Sequence, residues 1–151
     1  MPEKETLERA KKDKREGKAA STQAGEFVRE EIEHVREGKH GARSTKQAIA
    51  IGLSKARRAG VKLPPPEKGT VPDETREQAK RDTKKGQSGG RSTTSTARSR
   101  ASSRALKREG HSAASKSALS RQARGAAKRR SAASRSRSAK KAAATRKRQE
   151  A

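Results

Sequence analysis

The chain contains no cysteine, tryptophan or tyrosine, and its only aromatic residue is Phe27. Without cysteine there are no disulfide staples, thiolate metal sites or cysteine nucleophiles, which fits a reducing compartment. No run approaches the roughly 18 apolar residues of a membrane span, and no hydrophobic signal region opens the chain. It therefore reads as soluble and cytoplasmic. Proline is absent after Pro72, so nothing in the C-terminal half forbids helix.

Apolar residues are scarce as well. They make up 26% of 151 residues, many of them alanine, while charged residues make up 38%. Ordering a residue costs roughly 1–2 kcal/mol of backbone entropy. So little apolar surface does not offset that cost along the whole chain, which predicts a mostly α protein with extensive disorder.

What the chain has is positive charge, +24 overall. Residues 1–63 carry 16 basic and 10 acidic side chains, residues 64–87 carry 6 and 5, and residues 88–151 carry 19 and 2. The excess is concentrated in a tail whose 64 residues include 16 Ala, 14 Ser, 13 Arg and 6 Lys. Four segments follow: a polar N-terminal helix or arm (1–21), a small helical hairpin (22–63), a polar Pro-containing linker (64–87) and a disordered basic tail (88–151).

The arm has helix formers from Glu3 to Glu16 but only Leu7 and Ala10 to bury, so a solvated helix is expected there. In residues 22–37, Phe27, Val28, Ile32 and Val35 share a face. Glu26, Glu30, Glu31, Glu33 and Glu37 lie opposite, as a solvated face paired with Arg29 and Arg36. That face is a candidate competitor for the basic tail.

The second helix is expected over 45–59. Ser44 and Gln47 have capping-box spacing, and Gly60 is placed to end it. Ala48, Ile49, Ile51, Gly52, Leu53 and Ala56 fall on one arc, so Phe27, Val28, Ile32, Val35, Ile49, Ile51 and Leu53 form the expected hairpin core. So few large apolar side chains make the hairpin marginal alone, and a homodimer through residues 22–63 is one remedy.

The stretch from Phe27 through Lys46-Gln-Ala-Ile-Ala-Ile-Gly-Leu-Ser-Lys-Ala56 to Gly60 resembles a family of small, basic, mostly bacterial proteins of unknown function. Their signature is a helix, a Gly-Lys loop and then K-Q-A-I-A-I-x-L-S-x-A. The resemblance covers about residues 22–63 and implies relatives, not an activity. The tail is similar in composition to linker-histone tails, although it lacks their proline and prefers arginine to lysine.

Candidate catalytic groups are few. Ser138 to Lys141 fits S-x-x-K, a match that chance supplies in a Ser/Lys-rich tail, and no P-loop sequence occurs. His34, His40 and a helix glutamate are the one combination with metal-ligand chemistry, but solvated polar side chains are the expected reading, and neither metal nor cofactor is assigned.

Electrostatics carry the functional expectation. The tail's +17 matches roughly 29 Å of duplex DNA at one charge per 1.7 Å. A non-enzymatic, histone-like, nucleoid-associated DNA-binding protein is expected, which neutralises and compacts or bridges DNA without sequence preference. Stretches such as 113–130 and 139–148 are expected to turn helical on binding. The expected contacts are Arg43, Lys46, Arg57 and Arg58 from the hairpin. From the tail they are Arg121, Arg124, Lys128, Arg129, Arg130, Arg135, Arg137, Lys140, Lys141, Arg146, Lys147 and Arg148. The alternatives are an RNA- or ribosome-associated protein and a protein-interaction adaptor localised by its tail.

Overall fold

A computed structural model describes residues 1–89 and 95–150. Its elements are α1 (Lys4–Arg15), α2 (Ala20–Arg36), α3 (Thr45–Arg58), α4 (Asp73–Gln87), α5 (Thr96–Lys107), a 3-10 turn at Ser112–Ala114, α6 (Lys116–Arg129) and α7 (Ala132–Glu150). Among the described residues no strand forms, apart from an isolated bridge between Lys68 and Val71. The chain divides into two compact units, Met1–Ser115 and Lys116–Ala151.

In the first unit α2 and α3 form the expected hairpin, and their ends follow from the sequence. The Ser44 hydroxyl accepts from the Gln47 amide at 3.1 Å, and Gln47 Oε1 reaches back to the Arg43 amide at 2.7 Å. At the other end Gly60 takes φ +93°, a left-handed conformation that side chains resist. The Val61 amide then donates to the Ala56 carbonyl and the Gly60 amide to that of Arg57, both at 3.1 Å, completing a Schellman cap.

Packing between α2 and α3 departs from the expected core. The buried face of α3 is Thr45, Ala48, Gly52, Ala56 and Arg57, whereas Ile49, Ile51 and Leu53 are half-buried. A Cβ added at Gly52 would stand 2.6 Å from Val28 Cα, so the two backbones touch there. Small side chains define this contact because they let the helices approach closely, and the larger ones flank it. On α2, Phe27, Ile32 and Val35 are buried as expected, and Val28 is half-buried.

The N-terminal arm is more than a solvated helix, since one side of it is buried. α1 packs on α2, burying Thr6 and Ala10. Ala10, Ala24, Phe27, Ala56 and Val61 form one cluster, flanked by Leu7, Ala20, Leu53 and Leu63. Burying Phe27 contributes about 2–3 kcal/mol.

Two further expectations are corrected. Residues 64–87 are more than a linker: α4 packs against α3 through Ala79 and the buried carboxylate of Asp82. That side chain accepts from Ser54 Oγ at 2.7 Å, Arg58 Nε at 2.8 Å and Gln78 Nε2 at 3.1 Å. Nor is the tail extensively disordered. Helices α5, α6 and α7 occupy it, and its first part docks on the hairpin. The Gly41 amide donates to the Leu106 carbonyl at 2.9 Å and the Ala42 amide to that of Gly110 at 3.0 Å. Thr45 Oγ1 donates to the Ala113 carbonyl at 2.6 Å, and Arg36 Nε to that of Ala114 at 2.8 Å. Ala113 and Ala114 are buried by this docking.

Candidate nucleic-acid interface

The second unit consists of α6 and α7. Alanine, arginine and lysine lose little side-chain freedom in a helix, which explains long helices with nothing buried. Ser131 separates the two: its Oγ accepts from the Ser134 amide at 3.2 Å and its carbonyl from the Arg135 amide at 3.0 Å, an N-cap for α7. Arg130 reaches forward to the hydroxyls of Ser134 and Ser138, bracing the same turn.

Lys116–Ala151 holds 13 basic side chains against one acid, Glu150. Arg121, Arg124, Lys128, Arg129, Arg130, Arg135, Arg137, Lys140, Lys141, Arg146, Lys147 and Arg148 are all exposed. Among the described residues every ion pair lies between Glu3 and Asp82, so none of these cations pairs with a described acidic group. On α6, Arg121, Arg124 and Lys128 share a face. On α7 the charges spread around most of the circumference, as 100° per residue dictates for positions 135, 137, 140, 141, 146, 147 and 148.

The basic residues of the hairpin fare differently. Arg43 and Lys46 are exposed. Arg57 is only 6% exposed; its Nη2 donates to the Pro64 carbonyl at 3.1 Å, and burial lowers its pKa although Asp82 opposes that. Arg58 is held by Asp82. Arg57 therefore offers no free guanidinium to a phosphate, whereas Arg58 commits Nε to Asp82 and keeps about half of its side chain exposed, at 49%. Sequence periodicity placed both on the outer side of α3, and α4 with the Pro64 segment covers the part of that side that holds Arg57.

The face of α2 opposite Phe27 is likewise engaged. Glu30 and Glu31 are 2% and 1% exposed, and both face Lys55, whose Nζ lies 2.6 Å from Glu31 Oε2 and 3.7 Å from Glu30 Oε1. Glu26 accepts from Arg9 at 2.7 Å, Glu33 from Arg29 at 3.0 Å, and Glu37 pairs with Lys39. The Arg29 pairing was expected. Arg36, by contrast, binds the Ala114 carbonyl instead of a carboxylate. Two glutamates of this face are therefore buried, and the other three are paired within the first unit.

His34 and His40 join that ionic cluster. His40 Nε2 lies 2.9 Å from Glu31 Oε1, and His34 Nε2 lies 2.9 Å from Glu3 Oε1. Hydrogen bonds from His34 and then Lys39 hold the Glu3 carboxyl below its ordinary pKa. Lys39 in turn is raised, mostly by Glu37 and then by Glu3. The sequence expectation of solvated histidines missed this arrangement, because Glu3 lies 31 residues from His34.

Among the described residues, no helix is long and apolar enough to cross a membrane. No curated protein and no solved structure matches the chain. Residues 4–68, which run from the start of α1 through the segment beyond α3, match a family of unknown function (DUF6496).

Proposed function

We propose that the chain is a non-enzymatic DNA-binding protein that neutralises and compacts or bridges duplex DNA without sequence preference, with α6 and α7 as its contact elements. The observation that carries this reading is the row of exposed cations on both helices, none of them in an ion pair with a described acidic residue. At 1.5 Å per residue the 19 residues of α7 extend about 28 Å, a length along which duplex DNA presents roughly 17 phosphates. Alanine and serine between the charges keep the helix slender, and a helix of about 10–12 Å diameter fits a major groove about 12 Å wide. A helix formed before binding loses less backbone freedom on contact than a coil would. Arg43 and Lys46 are exposed on the first unit and available to further phosphates.

Such contact is electrostatic, so affinity should fall steeply with salt and vary little with sequence. The test is a salt series on a random duplex with the full chain and a variant carrying R135Q, R137Q, K140Q and K141Q. Four lost phosphate contacts should lower the log–log salt slope by about 3–4. An unchanged slope removes α7 from the interface. A structured RNA bound more tightly than duplex DNA at equal salt would replace DNA with RNA as the partner.

A further inference from the structure

Glu30 and Glu31 place two carboxylates in the interior of the first unit with one lysine, Lys55, between them. A buried charge without a counter-charge is costly, and this pair leaves one negative charge over. Glu30 shows the shortage directly: its Oε1 is buried and has no hydrogen-bond partner, with Lys55 Nζ no nearer than 3.7 Å. Glu3, half-exposed at the edge of the cluster, adds a further carboxylate.

Two histidines stand where the missing positive charge is needed. His40 has an acceptor at each ring nitrogen: the Gly41 carbonyl at 2.9 Å from Nδ1 and Glu31 Oε1 at 2.9 Å from Nε2. A neutral imidazole has one N–H and satisfies only one of them. With Nδ1–H on the carbonyl, Nε2 carries no hydrogen and stands 2.9 Å from a carboxylate oxygen, a spacing that suits two ligands of one metal ion. A histidine ligating a metal through one nitrogen has this outer shell, its other N–H donating to a backbone carbonyl or carboxylate. His34 has the carboxylate version, with Glu3 Oε1 at 2.9 Å from Nε2.

Glu31, His34 and His40 each offer one ligand atom, and these atoms all lie within 4.8 Å of one another. The rings meet edge to face, with centroids 6.1 Å apart at 84°. Zinc holds nitrogen and oxygen ligands at about 2.0–2.2 Å, so ligand atoms on one ion stand up to about 4 Å apart, within a small side-chain adjustment of this set. Lys55 binds Glu31 through Oε2 and leaves Oε1 directed to the histidine.

We propose that Glu31, His34 and His40 form a site for one divalent transition-metal ion of the zinc class, with Glu3 orienting His34. Two imidazoles and a carboxylate suit zinc and its neighbours better than magnesium or calcium, which prefer all-oxygen shells. A dication also supplies the charge that Glu30 and Glu31 lack. The ion would tie α2 to the loop carrying His40, next to the Gly41 and Ala42 amides on which the α5 segment docks.

The test is titration of the chelator-treated full chain with Co²⁺, followed by displacement with Zn²⁺. The expected result is one equivalent bound, with the visible d–d absorption of a low-coordinate nitrogen and oxygen site that zinc then bleaches. H34Q and H40Q should each weaken binding by more than the roughly 10–100-fold typical for loss of an outer-shell partner, and E3Q by about that amount. H111Q should leave it unchanged. The wild-type chain gives an independent reading whether or not the variants fold: its three histidines include His111, outside the cluster. One equivalent of Zn²⁺ should shift the ring resonances of His34 and His40 and not those of His111. No saturable uptake, or equal effects at all three histidines, overturns the site.

Discussion

Arg58 donates through Nε to Oδ1 of Asp82 at 2.8 Å, and Asp82 is only 1% exposed. This contact turns a basic side of α3 into an internal seam and recruits α4, which has a single buried apolar residue, Ala79, into the fold. The seam depends on the carboxylate, which also serves Ser54 and Gln78. Asp82→Ala should therefore destabilise the first unit by about 2–4 kcal/mol, read from urea unfolding of the full chain. A loss within about 0.5 kcal/mol, the range of an ordinary surface substitution, would mean that α4 is not held this way.

At Gly52 two effects oppose each other. Alanine in a helix interior gains up to about 1 kcal/mol over glycine. At this position, however, the added Cβ would lie 2.6 Å from Val28 Cα and 2.9 Å from its nitrogen, both backbone atoms that cannot swing aside. Overpacking typically costs about 1–3 kcal/mol, so Gly52→Ala should destabilise on balance. A stabilised variant in chemical denaturation would show that α2 and α3 are farther apart.

The docking of the α5 segment can be read at two amides. Gly41 and Ala42 donate to carbonyls more than 60 positions further along, at Leu106 and Gly110. Thr45→Val removes the hydroxyl that holds Ala113 and should cost about 1 kcal/mol. Native-state hydrogen exchange should then speed up at Gly41 and Ala42 while Phe27 and Val35 remain protected. Uniform acceleration would mean that the docked segment unfolds together with the whole unit.

Acid should weaken the first unit in a defined window. Glu3 is held below its ordinary 4.5 by hydrogen bonds from His34 and Lys39, and Glu16 below it by Lys18. A carboxyl depressed on folding stabilises fully above its unfolded value and loses that contribution as pH falls through the folded one. The melting temperature should therefore decline below about pH 4.5, and Glu3→Gln should flatten part of the decline. Because Glu3 is half-exposed, added salt should shrink the difference. Superimposable acid profiles for the two proteins would contradict the Glu3 contacts.

The parts of this fold legible in the sequence are those with local causes. Ser44, Gln47 and Gly60 set the limits of α3 through contacts within a few residues, and Phe27, Ile32 and Val35 declare their buried face by periodicity. The parts that were not legible depend on distant partners. Counting apolar side chains favoured Ile49, Ile51 and Leu53, whereas Ala48, Gly52 and Ala56 make the close approach that α2 requires. Residues 64–87 and the first third of the tail look too polar to fold, because their anchors are a buried carboxylate and backbone carbonyls. Glu30, Glu31, Arg57 and the two histidines read as solvated for the same reason: Lys55, the Pro64 carbonyl and Glu3 are supplied by other segments. The exposure of the cations on α6 and α7, by contrast, was legible one by one, since no described acidic residue pairs with them.

The most direct measurement is duplex DNA affinity across a salt series for the full chain and for residues 1–115, which form the first compact unit. Contact through α6 and α7 predicts a log–log slope steeper than about −5 for the full chain, and binding by residues 1–115 too weak to measure at physiological salt. If residues 1–115 bind as tightly as the full chain, with the same slope, the basic helices are not the DNA-contacting elements and the account fails.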